Sequence, residues 1–310
     1  MNNAWQRNLG ILLAQMLVVA VLTGYLKTNF SNQRQNPVNA SIIKSEETVA
    51  HPYGNPVNGP LMWEQSENFR TELARCKASV RMAAFQTTLP NPLPGEEYNV
   101  ALAADMLSGT IILPNQIFSM NSKLGPYSKR KGFREGPAYF GTLVIETTGG
   151  GVCKIATTLY NVAVLSNLKT VERHSHGMLV PYVPPGQDAT VSDSGKDIKF
   201  KNIYNFPILI WADTKDNSLY IAMYGQKTPP KVVWHHRILG RQPNRTIYRI
   251  NSKLAPGAHR IVLDGAEGLS VRSWLTITAE DGQSVTRELG YDYYKPMPRI
   301  IERAVPPKKR

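Results

Sequence analysis

The rhythm of apolar and polar positions changes several times along this chain, and each change predicts a different element. From Leu9 to Leu26 the residues carry no charge and are bounded by Arg7 and Lys27. That length stands at the lower edge of what a helix needs to cross a bilayer. No small-x-small cleavage site follows closely, so residues 1–27 are expected to persist as a membrane anchor rather than to be removed as a signal peptide. Positive charge stands on both sides of the run and leaves its orientation open. From 28 to 62 the chain is rich in Asn, Pro, Gly and Ser and loses its apolar periodicity, which predicts a flexible spacer.

A helical rhythm follows. Phe69, Leu73, Cys76 and Val80 recur at helical spacing and predict a helix over 64–77 with Cys76 on its apolar side. Asn99–Leu107 reads as a second helix, and Ile111–Phe118 as a strand-like run broken at Pro114-Asn115. Residues 119–138 are polar and glycine-punctuated. Tyr139–Glu146 reads as a strand, and Cys153–Leu165 as a central helix with a broad apolar face. The period then shortens. Thr170–His176 and Met178–Val183 are expected strands, Asp197–Phe200 alternates, and Pro207–Ala212 with Leu219–Tyr224 predicts a hairpin. Thr228-Pro229-Pro230 marks a boundary, beyond which the pattern is β throughout. Val271, Ser273, Leu275 and Ile277 share one side of a strand, and Asp281-Gly282 is a hairpin turn signal. The expected architecture is α+β: a domain over 63–228 whose central helix starts at a cysteine and is followed by an antiparallel β region, then a small all-β domain over 229–310.

Charge adds a constraint on partners. The chain has a net charge of +13 and a pI near 9.7, a balance that favours anionic partners. The basic residues are scattered and match no nucleic-acid motif, so nucleic acid is not an expected partner. There are two cysteines in 310 residues, which is not a disulfide framework. One disulfide between them and two free thiols are both compatible with the sequence.

The sharpest chemistry is at Gly149-Gly150-Gly151-Val152-Cys153. A thiol is a nucleophile only as thiolate, and unpaired N–H groups at a helix start lower its pKa. Glycines before it allow a tight turn and open space for a ligand. His174 and His176 lie two apart on an expected strand and so share a face. Asp188 is the candidate to orient the imidazole, with Asp193 and Asn202 as weaker ones. The order cysteine helix, histidine strand, acid strand parallels papain-like and transglutaminase-like enzymes at the level of fold. Three readings stand side by side here: a catalytic thiol with a histidine base, a packed thiol with surface histidines, and a metal site formed by Cys153, His174 and His176. No metal and no cofactor is the expectation carried forward.

Several ordered motifs resemble the VanW family. They are Phe118-Ser119-Met120-Asn121, the glycine–cysteine run, Thr157-Thr158-Leu159-Tyr160-Asn161, Val171 to His176, Val180 to Pro184, and Gly186 to Val191. The resemblance runs from about Met82 to Gln226, with Lys154 where the family usually has glutamine. It implies a protein of Gram-positive bacteria, anchored or exported, from a family named for its association with vancomycin-resistance clusters. Gly149, Gly150, Gly151, Lys154 and Asn121 are the residues expected to meet a ligand. Residues 231–306 somewhat resemble a glycine-rich, wall-associated β domain. The resulting expectation is an extracytoplasmic, single-pass membrane protein whose partner is peptidoglycan or another anionic wall polymer. It is expected to act there as a cysteine hydrolase or transpeptidase, or as a non-catalytic binding or scaffolding module.

Overall fold

The computed structural model describes residues 51–89, 92–140, 143–193 and 195–305. The expected anchor and most of the expected spacer lie outside the described residues. Among the described residues no helix is long and apolar enough to cross a membrane. Order begins earlier than the spacer reading placed it: Gly54–Pro56 forms strand β1, and Leu61 and Trp63 are buried.

The centre is a five-stranded antiparallel sheet in the order β1-β2-β10-β9-β3. Its strands are β1, β2 (Val80–Thr88), β3 (Thr110–Ile112), β9 (Ile208–Lys215) and β10 (Ser218–Gly225). Residues along β9 and β10 alternate between two apolar clusters. Ile208, Ile210, Leu219, Ile221 and Met223 face one side. Leu209, Trp211, Ala222 and Tyr224 face the other. Both faces are covered, which is why these strands read as unbroken apolar runs. The turn between them is Asp216-Asn217, both at positive φ, as two-residue hairpins require.

Helix α1 (Glu67–Cys76) covers one face, with Phe69 and Cys76 buried. It starts at Ser66, whose hydroxyl accepts from the Phe69 N–H, satisfying one of the unpaired donors of the first turn. Helices α2 (Glu96–Leu107) and α4 (Val152–Leu165) cover the opposite face, and α4 lies across β2 and β10. Helix α4 is buried nearly all round, its polar residues Lys154, Thr157, Thr158 and Asn161 included. Two free cysteines result, one in each apolar cluster.

Smaller elements frame the start of α4. Strands β4 (Ile117–Ser119), β8 (Lys199–Lys201) and β7 (Lys169–Glu172) make a three-stranded sheet, and a short helix α3 (Met120–Leu124) follows β4. The expected single strand at 139–146 is a hairpin of β5 (Glu135–Phe140) and β6 (Leu143–Thr148). The expected strand at 170–176 stops at Glu172. Beyond it, the His176 N–H goes to a side-chain carboxylate rather than to a neighbouring strand. Met178–Val183 forms no strand, although Met178, Val180, Tyr182 and Val183 are buried there.

Residues 231–303 are all β. Strands β11 (Lys231–Gln242), β14 (Gly268–Thr278) and β15 (Ser284–Tyr294) form one antiparallel sheet. Strands β12 (Thr246–Ile250), β16 (Arg299–Arg303) and β13 (His259–Leu263) form another, with β12 and β16 parallel. Val271, Ser273, Leu275 and Ile277 all point inward, as their alternation predicts, and Gly282 makes the β14–β15 turn at φ +83°. Leu275, Ile277 and Trp234 join the same apolar cluster as α4. Trp234 meets Tyr160 edge-on at 5.3 Å.

Leu159 sits at the middle of α4 with no exposed surface. Leu159→Ala is expected to cost about 2–5 kcal/mol, the range for emptying a leucine site in a packed core, measured as the shift in chemical denaturation.

Candidate active site

The site begins with a turn that only glycine permits. Gly151 caps the start of α4 at φ +101°. A Cβ on Gly150 would lie 2.1 Å from the backbone carbon of Gly136, so hairpin β5–β6 presses directly against the turn. Asn99, fully buried, holds both: its Nδ2 donates to Gly150 O and to Arg134 O, and its Oδ1 accepts from the Arg134 N–H. The Val152 and Lys154 N–H groups turn back to Gly149 O and Gly151 O. Among the described residues no backbone carbonyl accepts from the Cys153 N–H, which leaves that donor beside the thiol.

Helix α4 then meets an extended segment rung by rung. The Cys153 sulfur contacts Thr190 Oγ1 at 3.3 Å and Val191 O at 3.7 Å. Thr157 Oγ1 donates to Ala189 O and accepts from its N–H, both at 3.0 Å. Asn161 Nδ2 donates to Gln187 O at 2.8 Å. Four helical residues advance about 6 Å, and two extended residues advance about 6.6 Å. Positions 153, 157 and 161 therefore keep step with 191–190, 189 and 187, running in the opposite direction. This ladder delivers Asp188 to the site.

Asp188 is buried and accepts four hydrogen bonds. Its Oδ2 takes the His176 N–H and the His176 Nδ1–H, both at 2.7 Å, and its Oδ1 takes Arg173 Nη2 at 3.0 Å and Tyr294 Oη at 2.5 Å. Desolvation opposes its charge, but His176 and Arg173 outweigh that and bring its pKa down to about 2. Arg173 also bonds Asp292 at 2.5 Å and donates to Asp188 O. Tyr294 and Asp292 both belong to β15.

His176 is buried as well. Its Nδ1 is held by Asp188, which leaves Nε2 toward the thiol. Nε2 makes no hydrogen bond of regular geometry among the described residues. The two groups nonetheless bias each other. Burial disfavours both charged forms, yet His176 lowers the Cys153 pKa, while Asp188 and Cys153 raise that of His176. Both directions favour a thiolate–imidazolium pair. Catalytic contacts are commonly loose in an unliganded site and tighten around a substrate. Cys76 moves the other way, its pKa pushed up first by burial.

The structure separates the two histidines. His174 is 40% exposed at its side chain and bonds Glu172 at 3.0 Å. It lines a different groove from the thiol. The expected shared face fails because the strand ends at Glu172, before either histidine. The metal reading loses its third ligand for the same reason. Among the described residues no three His, Cys, Asp or Glu side chains are placed to hold a metal ion. Lys154 borders the thiol cleft but sends its ammonium to Asn217 O at 2.8 Å, in the β9–β10 turn. Burial lowers its pKa, against the attraction of Glu97. Asn121 stands behind the cleft wall. It holds Ser192 O and Lys196 O and accepts from Tyr127 Oη, and Tyr127 lines the cleft. Asp193 lines the cleft and accepts from the Tyr127 N–H. Asn202 is buried away from it, holding Ile112 O and Phe206 O.

The cleft over Cys153 has a volume of about 450 Å³, bordered by the three glycines, His176, Tyr182, Ile145 and Glu96 among others. Sequence reasoning missed Asn99, Arg173 and Tyr294. The spacing of Thr157 and Asn161 at four and eight residues from Cys153 was a signal for the ladder.

Asp188→Asn removes the charge that His176 and Arg173 both face. It is expected to cost about 3–5 kcal/mol, as breaking a buried ion pair does. The folded carboxylate titrates near 2 against an ordinary 3.8. Its stabilisation is therefore present above about pH 4 and lost as pH falls toward 2. Denaturation at neutral pH and across that window is expected to show the difference between the two proteins closing as the wild-type carboxylate protonates.

Residues 95–224 match the model of the VanW like protein family. The uncharacterized protein YoaR of Bacillus subtilis (strain 168) is 32% identical over 213 residues, covering 67% of this chain and 68% of that protein. The vancomycin B-type resistance protein VanW of Enterococcus faecalis (strain ATCC 700802 / V583) is 25% identical over 138 residues, which is 43% of this chain and half the length of that relative. Among solved structures, an IgA1 protease G5 domain aligns with 26% of this chain and 99% of its own, at 19% identity and a TM-score of 0.17. The glycine turn, Cys153, the Thr157–Asn161 ladder, His176 and Asp188 all fall inside the family match, and the chain belongs to the VanW family.

Proposed function

We propose that this protein acts on the bacterial cell wall from outside the cytoplasm, held by an N-terminal membrane anchor, and that Cys153 is the nucleophile of an acyl-transfer reaction on wall peptides. The observation that carries this reading is the Cys153–His176–Asp188 arrangement. A thiol stands at a helix start, a buried imidazole faces it, and a carboxylate fixes that imidazole through Nδ1. Such a relay is the general pattern of an activated nucleophile.

In this reading the Cys153 thiolate attacks an amide carbonyl, and the oxyanion meets the Cys153 N–H. His176 gives its proton from Nε2 to the departing amine as the carbon–nitrogen bond breaks. The thioester is then attacked by water or by a second amine, whose proton returns to His176, and the carbon–sulfur bond breaks to restore the Cys153 thiolate. Hydrolysis or transpeptidation follows from which acceptor enters. Asp188 stays ionised throughout, because Arg173 and Tyr294 hold its other oxygen. The positive net charge suits an anionic wall. The enterococcal relative is named for vancomycin resistance. A non-catalytic binding role is favoured by one observation: the Cys153 sulfur also serves as a rung against Thr190 and Val191.

Alkylation by iodoacetamide separates the readings. Cys153 is expected to react at a pH below the ordinary thiol range, and Cys76 to stay inert. His176→Ala is expected to raise the midpoint of the pH–rate curve by at least about one unit. Cys153→Ala, with folding checked by circular dichroism, is expected to change the muropeptide profile of the wall. An unchanged profile together with a thiol of ordinary reactivity rules out the enzymatic reading.

A further inference from the structure

A second groove, of about 770 Å³, lies between β7 and β15. Residues 168–175 line one wall without a break, and residues 287–289 and 291–292 line the other. A strand presenting one face contributes only alternate residues to a groove. Unbroken runs mean that the groove follows the strands' edges. Both are edge strands: β7 ends the sheet β4-β8-β7, and β15 ends the sheet β11-β14-β15. Among the described residues, Thr170–Glu172 and Arg287–Tyr291 make no backbone hydrogen bonds beyond their pairing with β8 and β14. Two rows of unpaired backbone groups thus border one opening, which is the arrangement that accepts an added strand.

The charge around this opening is uneven. Its carboxylates are already engaged: Glu172 with Lys199 and His174, Glu288 with Arg272, and Asp292 with Arg173. Its cations Lys169, Lys196 and Arg287 enter no ion pair among the described residues, and Arg287 bonds only the neutral Asn167 side chain. Val171 and Tyr291, at 46% and 72% exposure, add apolar surface at the rim. Lys196 borders both this groove and the thiol cleft.

We propose that the groove between β7 and β15 binds an extended, carboxylate-bearing peptide by strand addition. The four residues of β7 span about 13 Å, which matches a peptide of four or five residues. Backbone bonding to the two edges supplies affinity, and Lys169, Lys196 and Arg287 select acidic side chains. This binding does not use the thiol and goes beyond the acyl-transfer reading.

The test is fluorescence anisotropy on the full-length chain, in detergent micelles, with a labelled, end-capped pentapeptide alternating glutamate and valine. Saturable binding is expected. Methylating alternate backbone amides of the peptide, which removes donors and leaves charge intact, is expected to weaken binding at least about tenfold, the loss of one or two hydrogen bonds. K169E, K196E and R287E combined are expected to weaken it at least as much, and a lysine–valine peptide is expected not to bind. Cys153→Ala is expected to bind with unchanged affinity, which keeps this result separate from the catalytic one. No binding of the acidic peptide, equal binding of its methylated form, or equal binding of polygalacturonate overturns the proposal.

Discussion

One buried carboxylate holds this site together. Asp188 loses nearly all contact with water, a state that costs several kcal/mol for an unpaired ion. It is tolerable because four donors converge on it. They come from two separate parts of the chain: the segment after β7 supplies Arg173 and His176, and the end of β15 supplies Tyr294. Removing either set leaves a buried charge with fewer of its partners. The region after residue 230 is therefore part of the site's framework as well as an appendage to it, since Tyr294 Oη also accepts from the Gly186 N–H. Asp292, through Arg173, adds a second tie between β15 and the acid.

The second constraint is geometric. Helix α4 carries Cys153, and the extended segment 187–191 carries Asp188. Their rises per repeat agree closely enough for side chains four apart on the helix to meet positions two apart on the extended segment. Thr157 uses its hydroxyl as donor and acceptor to the same residue, Ala189, and fixes both the depth and the register of the segment. Any slip of this ladder by one residue would turn Asp188 away from His176. The glycine turn sets the other end: Gly150 has no room for a side chain against Gly136, and Gly151 adopts a conformation other residues rarely take.

Much of this was legible in the chain itself. The period of 3.6 located α1, α2 and α4 to within a few residues, because their buried sides are defined by the sheet between them. The apolar runs of β9 and β10 and the alternation of β14 were equally readable. The choice between His174 and His176 was not. It depended on where β7 stops, and β7 stops where Arg173 and the His176 N–H turn to Asp188 rather than to a neighbouring strand. Lys154 illustrates the same limit. Its place beside Cys153 suggested charge near the thiol, but consecutive helical residues point about 100° apart, and its ammonium meets the β9–β10 turn instead. Asn99 and Tyr294 carried no local signal, since what they do is set by residues 35 or more positions away.

At neutral pH, His176 is proposed to be an imidazolium facing a thiolate. Nitrogen-15 NMR of the histidine side chains across pH 5 to 10, for the wild type and for Cys153→Ser, measures this directly. Both nitrogens of His176 are expected to carry protons at pH 7 in the wild type, and losing the thiol is expected to lower the pH at which Nε2 deprotonates. A neutral His176 at pH 7, protonated on Nδ1 alone and indifferent to Cys153→Ser, would contradict it.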